Sequence, residues 1–282
     1  MNTYIIIPAY NEEKHISKTL DSLLNQTVKA TKIIVVDDSS TDNTTSILKK
    51  YSAKHSNISF ITKTSVEGHE PGSKVVEAFN YGFDQLDSNF DIICKFDADL
   101  IFPTNYLEEI ISTFTQSTTI GMVGGFCYIE KNGEWVLENL TNKDHIRGAL
   151  KAYSKECFNK IGGLKSAMGW DTIDEIIAKF NGYTVKTIEN LHVKHLKPTG
   201  NKYAKKAGLR QGEAFYRMRY GTLLTQIAAI KLALKKRQFS YYLNCLKGFN
   251  LAKKSGASFL LTEEEGEFLR NLRKEGIRNK IL

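Results

Sequence analysis

The sequence predicts an α/β fold with a mostly parallel sheet and helices on both of its faces, followed by a helical C-terminal extension. Three observations point there. Short β-rich runs alternate with helical patterns from Tyr4 to Ile129. One of those runs, KIIVVD at 32–37, has an unbroken apolar centre, as a parallel strand buried on both faces requires. Beyond about residue 200 only helical periodicity remains, which divides the chain into 1–200 and 201–282.

The elements follow in order. Tyr4–Pro8 is a first strand, and Ile16, Leu20, Leu23 and Leu24 recur at helical spacing over roughly 12–25. Lys32–Asp37 is the second strand. SSTDNT then offers several helix N-caps, and a helix runs to about Lys54. Ile58–Thr62 is a third strand, Gly68 to Gly72 a loop, Ser73–Asp87 a helix and Asp91–Phe96 a fourth strand. Pro103 precedes a helix over Tyr106–Phe114, and Met122–Ile129 reads as another strand. The β-α order implies right-handed crossovers, with ligands held beyond the C-terminal ends of the strands.

Composition excludes several classes. The 282 residues are 41% hydrophobic and 25% charged, with only 4 Pro and 20 Gly, so no long disordered region is expected. The four cysteines, at 94, 127, 157 and 245, lack metal-ligand or redox spacing. The run Tyr4–Ile7 is too short for a signal peptide, and no apolar stretch is long enough to span a membrane, so the cytoplasm is the expected location. The net charge of +8 is uneven. The region 1–200 is slightly acidic and 201–282 strongly basic, so the latter is expected to meet something anionic or to form a solvated basic face.

Polar clusters stand just after three of the strands: PAYNEE at 8–13, DDSSTDNT at 37–44 and DAD at 97–99. One rim of the sheet therefore gathers Glu12, Glu13, Asp37, Asp38, Asp42, Asp97 and Asp99. Like charges on one rim repel, and a divalent cation or a base- and ribose-binding role resolves the conflict.

PAYNEE, VVDDSSTDNT and DAD in this order, with GWDTIDE at 169–175 and NGY at 181–183, resemble the family 2 glycosyltransferases of the GT-A, Rossmann-like fold. The resemblance covers about residues 1–200. The tail is similar, less specifically, to extensions in a bacterial surface-polysaccharide branch of that family. It implies an inverting, metal-dependent transfer of a sugar from a nucleotide-diphosphate donor, with uridine the common base, to an acceptor hydroxyl of a glycan or lipid-linked acceptor.

By that resemblance Pro8, Ala9, Tyr10 and Asn11 face the base and ribose, Glu12 accepts from ribose hydroxyls, and Asp38 accepts from the base. Asp99 is expected on the metal, Mn²⁺ or Mg²⁺, and Asp97 on the donor. Lys74 either pairs with a phosphate or is a solvated lysine at a helix start, and Asn80 and Gly82 follow it as in the family.

On the acceptor side, counting back from Gly182 and Tyr183 puts Asp171 at the position of the catalytic base, or makes it an N-cap. Trp170 replaces the usual Glu and offers an apolar wall or a platform for an acceptor sugar. Asp174 and Glu175 compete with Asp171 for the role of base, or read as first-turn charges. The segment LHVKHLKPTG holds a histidine that completes the metal site or contacts the diphosphate. His195 is preferred to His192, and Lys197 is a phosphate partner.

In the tail, 202–237 holds ten Lys/Arg against Glu213 alone. Tyr216, Tyr220, Leu223, Ile227, Ile230 and Leu234 make a stripe on one expected helix. It either docks on an anionic membrane surface, making the protein peripheral on the inner face, or packs on the catalytic domain. Further helices are expected at 240–252 and 262–276. Two other classes fit less well. A sugar-nucleotide nucleotidyltransferase favours a glycine-rich loop with a basic residue after the first strand, which PAYNEE lacks. A basic nucleic-acid-binding protein conflicts with the acidic rim, so no nucleic acid is expected.

Overall fold

A computed structural model of the protein describes residues 1–64, 72–138, 143–197 and 207–281. The elements in chain order are β1 Thr3–Ala9, α1 Ile16–Leu24, β2 Lys32–Asp37, α2 Thr44–Lys54, β3 Ile58–Thr62, α3 Ser73–Phe83, β4 Ile92–Phe96, β5 Leu100–Ile101, α4 Tyr106–Thr115 and β6 Ile120–Lys131. They continue with β7 Glu134–Leu137, β8 Leu150–Ser154, α5 Lys155–Lys160, α6 Trp170–Phe180, β9 Thr184–His195, α7 Ala207–Arg217, α8 Gly221–Lys236, α9 Phe239–Lys254 and α10 Glu263–Ile281. The chain forms two compact units: 1–166 with 181–198, and 167–180 with 199–282.

The first unit is built on one mixed sheet, ordered β3-β2-β1-β4-β8-β6-β9-β5, with β7 pairing β6. From β3 to β4 the strands are parallel, as the β-α alternation requires. Beyond β4 the sheet is no longer mostly parallel: β8 runs antiparallel to both β4 and β6, and only β6 and β9 pair in parallel. The physical reason lies in the connections, since β8 is reached from the β6–β7 hairpin rather than by a helical crossover.

Burial follows the sequence pattern. Every residue of β4 and β8 is buried and nearly every one of β1 and β2, so these strands are covered on both faces. Gly82 lets α3 approach the sheet, because a Cβ there would lie 2.7 Å from Val36 Cγ2 and 2.9 Å from Ile6 Cγ2. The four cysteines are free and buried, which agrees with the absence of a disulfide framework.

The second unit is helical. α7 and α9 cross with their backbones touching: a Cβ on Gly212 would come within 1.8 Å of the Cys245 carbonyl oxygen, and one on Gly248 within 1.9 Å of that of Leu209. α6 packs on α10 through an edge-on contact of Phe180 with Phe268. The stripe expected on a single helix from Tyr216 to Leu234 is divided between two. Arg219 and Gly221 take positive φ, 58° and 73°, and break the helix between Arg217 and Gly221. No helix among the described residues is long and apolar enough to cross a membrane.

Candidate active site

The parallel order of β2, β1 and β4 puts the ends of three strands side by side, and the loops after them build the rim. The first two loops are laced together. Asn11, held at a positive φ of 55°, accepts from the Thr41 backbone N–H at 2.8 Å, and its own N–H donates to Ser40 Oγ at 3.0 Å. The Glu12 N–H donates to Thr44 Oγ1 at 2.8 Å, and the Glu13 N–H to Asp42 at 3.1 Å. Glu13 in return accepts from the backbone and side chain of Asn43. Pro8 and Ala9 close β1 against Val36 and Asp37 of β2, and Tyr10 projects into solvent, 56% exposed.

Asp37 and Asp38 play different parts. Asp37 is buried and accepts from Ser40 N–H at 3.0 Å and from the Thr45 hydroxyl, so it fixes the second loop. Asp38 donates its N–H to the Ala9 carbonyl at 2.9 Å and meets Lys63 at 3.5 Å. Lys74 is half-buried in the first turn of α3. It acts on Glu77, whose carboxyl is held below its ordinary range by the Ser73 hydroxyl against burial, then by Ser166, Lys63 and Lys74.

The third loop carries DAD. Asp97 is bound by the ammonium of Lys95, itself buried on β4. Asp99 is buried and lies beside His195, with 3.6 Å between Oδ2 and Nε2. The pairing of Leu100 with His195, β5 against β9, creates this meeting. Along β9 the residues Leu191, Val193 and His195 turn inward while His192 and Lys194 turn out. His192 instead stacks on Tyr128, ring centroids 4.2 Å apart.

The other nitrogen of His195 is held from behind. Nδ1 lies 2.9 Å from Glu138 Oε2, and Arg147 pairs with the same carboxylate. A carboxylate only accepts, so Nδ1 donates to Glu138, and Nε2 is the ring nitrogen left facing Asp99. Cys127 joins Glu138 and His195 in a cluster of three buried groups whose ligand atoms lie within 4.8 Å. That inner cluster suits support rather than a cation, because Arg147 already supplies its positive charge and burial pushes the Cys127 thiol up to about 12.

The outer side, between Asp99 and Glu12, gathers carboxyls shifted in opposite directions. Burial pushes the Glu12 carboxyl up to about 7 against the pull of Lys197, with Asp99 and Asp97 adding to the rise. Lys197 is pressed onto Glu12 Oε1. Glu12 Oε2 and the nearby His15 Nδ1 are buried with no hydrogen-bond partner among the described residues. Burial works to raise Asp99, but His195, Lys197 and His15 hold it below its ordinary range. A carboxylate oxygen and an imidazole nitrogen 3.6 Å apart are ligand types that fit an ion such as Mn²⁺, whose neighbouring ligands at about 2.1 Å stand about 3 Å apart.

Trp170 and Asp171 open α6, which belongs to the second unit. Asp171 is half-buried, and Trp170 is buried, 6% exposed. Asp174 and Glu175 are not surface charges of a first turn. Both are buried, and Asp174 accepts from the Glu175 N–H at 2.6 Å. Their side lies on the packed face of an amphipathic helix that also buries Ile173, Ile176 and Ile177. The stretch Pro198–Gly200 and residues 202–206 of the basic tail lie outside the described residues.

Sequence reasoning missed Glu138, Arg147, His15 and Lys95. Glu138 follows a hairpin, and nothing local couples it to residue 195. The signal for β9 was present, in the alternation of LHVKH.

The profile of a family described as glycosyl transferase family 2 matches residues 4–166. An uncharacterised glycosyltransferase of Mycoplasma genitalium is 29% identical over 178 residues, covering 58% of this chain and 57% of that protein. The poly(ribitol-phosphate) beta-glucosyltransferase of Bacillus spizizenii is 45% identical over 75 residues, 26% of this chain and 12% of its own. The match thus spans little more than half of the first relative's length. Among solved structures, S. aureus TarS 1–349 in complex with UDP-GlcNAc superposes with a TM-score of 0.59 at 18% identity, covering 95% of this chain and 78% of that one. A mannosyltransferase from Pyrobaculum calidifontis in complex with GDP-Man and Mn²⁺ gives 0.59 at 16% identity, covering 98% and 80%. At these identities the likeness is one of fold.

Proposed function

The chain belongs to glycosyl transferase family 2, and from that premise we propose that it moves a sugar from a nucleotide-diphosphate donor, a UDP-sugar, to an acceptor hydroxyl in cell-surface polysaccharide or glycolipid synthesis. The observation that carries this reading is the buried Asp99–His195 pair, set on the same rim as two interlaced nucleotide-facing loops. The glucosyltransferase relative acts on poly(ribitol-phosphate), and the TarS and mannosyltransferase neighbours hold UDP-GlcNAc and GDP-Man, which supports a nucleotide-sugar donor and a surface polymer.

In this reading Pro8, Ala9, Tyr10 and Asn11 form the turn under the base and ribose, and Tyr10 offers its exposed ring for stacking. Asp38 accepts from the base, Glu12 and Asp97 from the ribose, and Lys74 meets a phosphate. Asp99 and Nε2 of His195 would hold Mn²⁺ or Mg²⁺. When bound, such an ion offsets the charge that develops on the departing nucleoside diphosphate. Lys197, which rests on Glu12, supplies a further positive charge for the same diphosphate.

Asp171 takes the proton of the acceptor hydroxyl as its oxygen attacks the anomeric carbon from the side opposite the diphosphate. A single displacement of this kind inverts that carbon. Trp170, being buried, serves as an apolar wall to the acceptor side rather than an open platform. The reaction is placed on the cytoplasmic side of the cell membrane, where a lipid-linked acceptor is within reach.

The test is release of nucleoside diphosphate from a panel of UDP- and GDP-sugars, with Mn²⁺, Mg²⁺ or a chelator, for the wild type and Asp99→Asn. The expected result is metal-dependent release from one donor, lost in the variant while its Tm stays close to wild type. Equal donor affinity with and without metal in the wild type, by calorimetry, would remove the metal from the reading.

A further inference from the structure

α8 has two apolar faces, and only one of them is packed. Leu224, Thr225, Ala229 and Ala233 are buried, the last two in a cluster with Tyr241 and Cys245 of α9. Leu223, Ile227, Ile230 and Leu234, spaced four, three and four apart, line the opposite face and are 63%, 39%, 48% and 73% exposed. Phe239 and Leu243, at the start of α9, are exposed as well, 73% and 53%. Large side chains left singly on a surface are ordinary, but a row of one per turn along a helix of 16 residues, about 24 Å long, marks a docking surface.

The charge around this row selects its occupant. Residues 221–254 hold Lys231, Lys235, Lys236, Arg237, Lys247, Lys253 and Lys254 and no Asp or Glu. A second copy of the chain seated on this face would bring two such cationic surfaces together, at an electrostatic cost. A nucleic acid would satisfy the charge and leave the apolar row without a partner. An anionic lipid surface satisfies both, with the aliphatic side chains below the headgroups and the lysines level with the phosphates.

We propose that the α8–α9 hairpin lies on an anionic bilayer, with Leu223, Ile227, Ile230, Leu234, Phe239 and Leu243 entering the headgroup–acyl boundary. The docking face differs from the one the tail sequence suggests. Tyr220 is buried, and Tyr216, on α7, meets Phe249 edge-on and Phe259 at a tilt within the helical unit. The proposal uses no residue assigned to the donor site, so its failure leaves the transferase reading intact.

The experiment is co-sedimentation of the full chain with vesicles of phosphatidylcholine alone or with about one third phosphatidylglycerol, at low and high salt. Three proteins are compared: wild type, Leu223→Ser/Leu234→Ser, and Lys231→Glu/Lys235→Glu. The wild type is expected to partition at least tenfold better onto the anionic vesicles and to be released by salt. Both variants are expected to lose that partitioning while keeping their Tm and their donor hydrolysis, since every replaced side chain is exposed. Binding that ignores lipid charge and salt overturns the proposal. So does undiminished binding of the serine variant, or a wild-type dimer in light scattering that the serine variant dissolves, which would assign the face to a second copy.

Discussion

Glu138 Oε2 lies 2.9 Å from Nδ1 of His195, and that single bond decides which ring nitrogen faces Asp99. Arg147 fixes Glu138 in turn, so a chain of three side chains sets the orientation of the ring.

The first prediction follows from that chain. Glu138→Gln removes the charge behind Nδ1 and leaves the His195 ring in place. Mn²⁺ affinity, read by calorimetry without donor, is expected to fall about 10–100-fold, the usual worth of such a support. The variant is also expected to melt a few degrees lower, because Arg147 loses its ion pair in a buried setting. Unchanged Mn²⁺ affinity beside a lowered Tm would make Glu138 a structural residue only.

The second prediction separates the carboxylates of α6. Asp171→Asn keeps size and shape while removing basicity, so transfer to the acceptor is expected to slow by roughly 10²–10⁴ with donor affinity and Tm unchanged. Asp174→Asn disturbs a buried group and is expected to act on stability instead, by about 1–3 kcal/mol. Should Asp174→Asn abolish transfer in a stable protein while Asp171→Asn stays active, the base belongs to the other residue.

The third prediction concerns pH. Burial, opposed by Lys197, raises the Glu12 carboxyl from 4.5 to about 7. Between those values the folded protein keeps a proton on Glu12 that the unfolded chain has released. This group's contribution to stability therefore falls as pH rises through that window, by at most about 1.4 kcal/mol per pH unit. Glu12→Gln has no proton to lose. The drop in Tm from about pH 5 to about pH 7, measured without metal or donor, is expected to be smaller in the variant; equal drops would place the titrating group elsewhere.

Much of this was legible in the chain itself, for physical reasons. The parallel strands β1 to β4 are short and apolar, three of them are followed by polar clusters, and each of those signals is local. The rim residues could be read because strand ends are marked by where the apolar run stops, as at Asp37 and Asp97. β8 was not legible, because LKAYS carries a lysine that the fold buries. Nor was the burial of Asp174 and Glu175, since two acids near a helix start read as solvated until tertiary packing claims them. Glu138 and Arg147 act at His195 through the register of distant strands, and spacing along the chain holds no trace of that. The outward face of α8 was visible as a stripe, but a stripe alone does not say whether a neighbour covers it.

The pairing of Leu100 with His195 also sets an order of assembly. The Asn11–Thr41 and Glu12–Thr44 contacts close among the earliest residues to leave the ribosome, so the first two rim loops can lock while most of the chain is unmade. The histidine comes with β9, across a far longer loop whose closure is entropically the more demanding step. A nascent chain that stops short of β9 therefore carries Glu12, Asp97 and Asp99 without the imidazole that tempers them. In the proposed reading, protection from proteolysis by Mn²⁺ should accordingly appear only once β9 has paired with β5, which would make the cation a reporter of that closure.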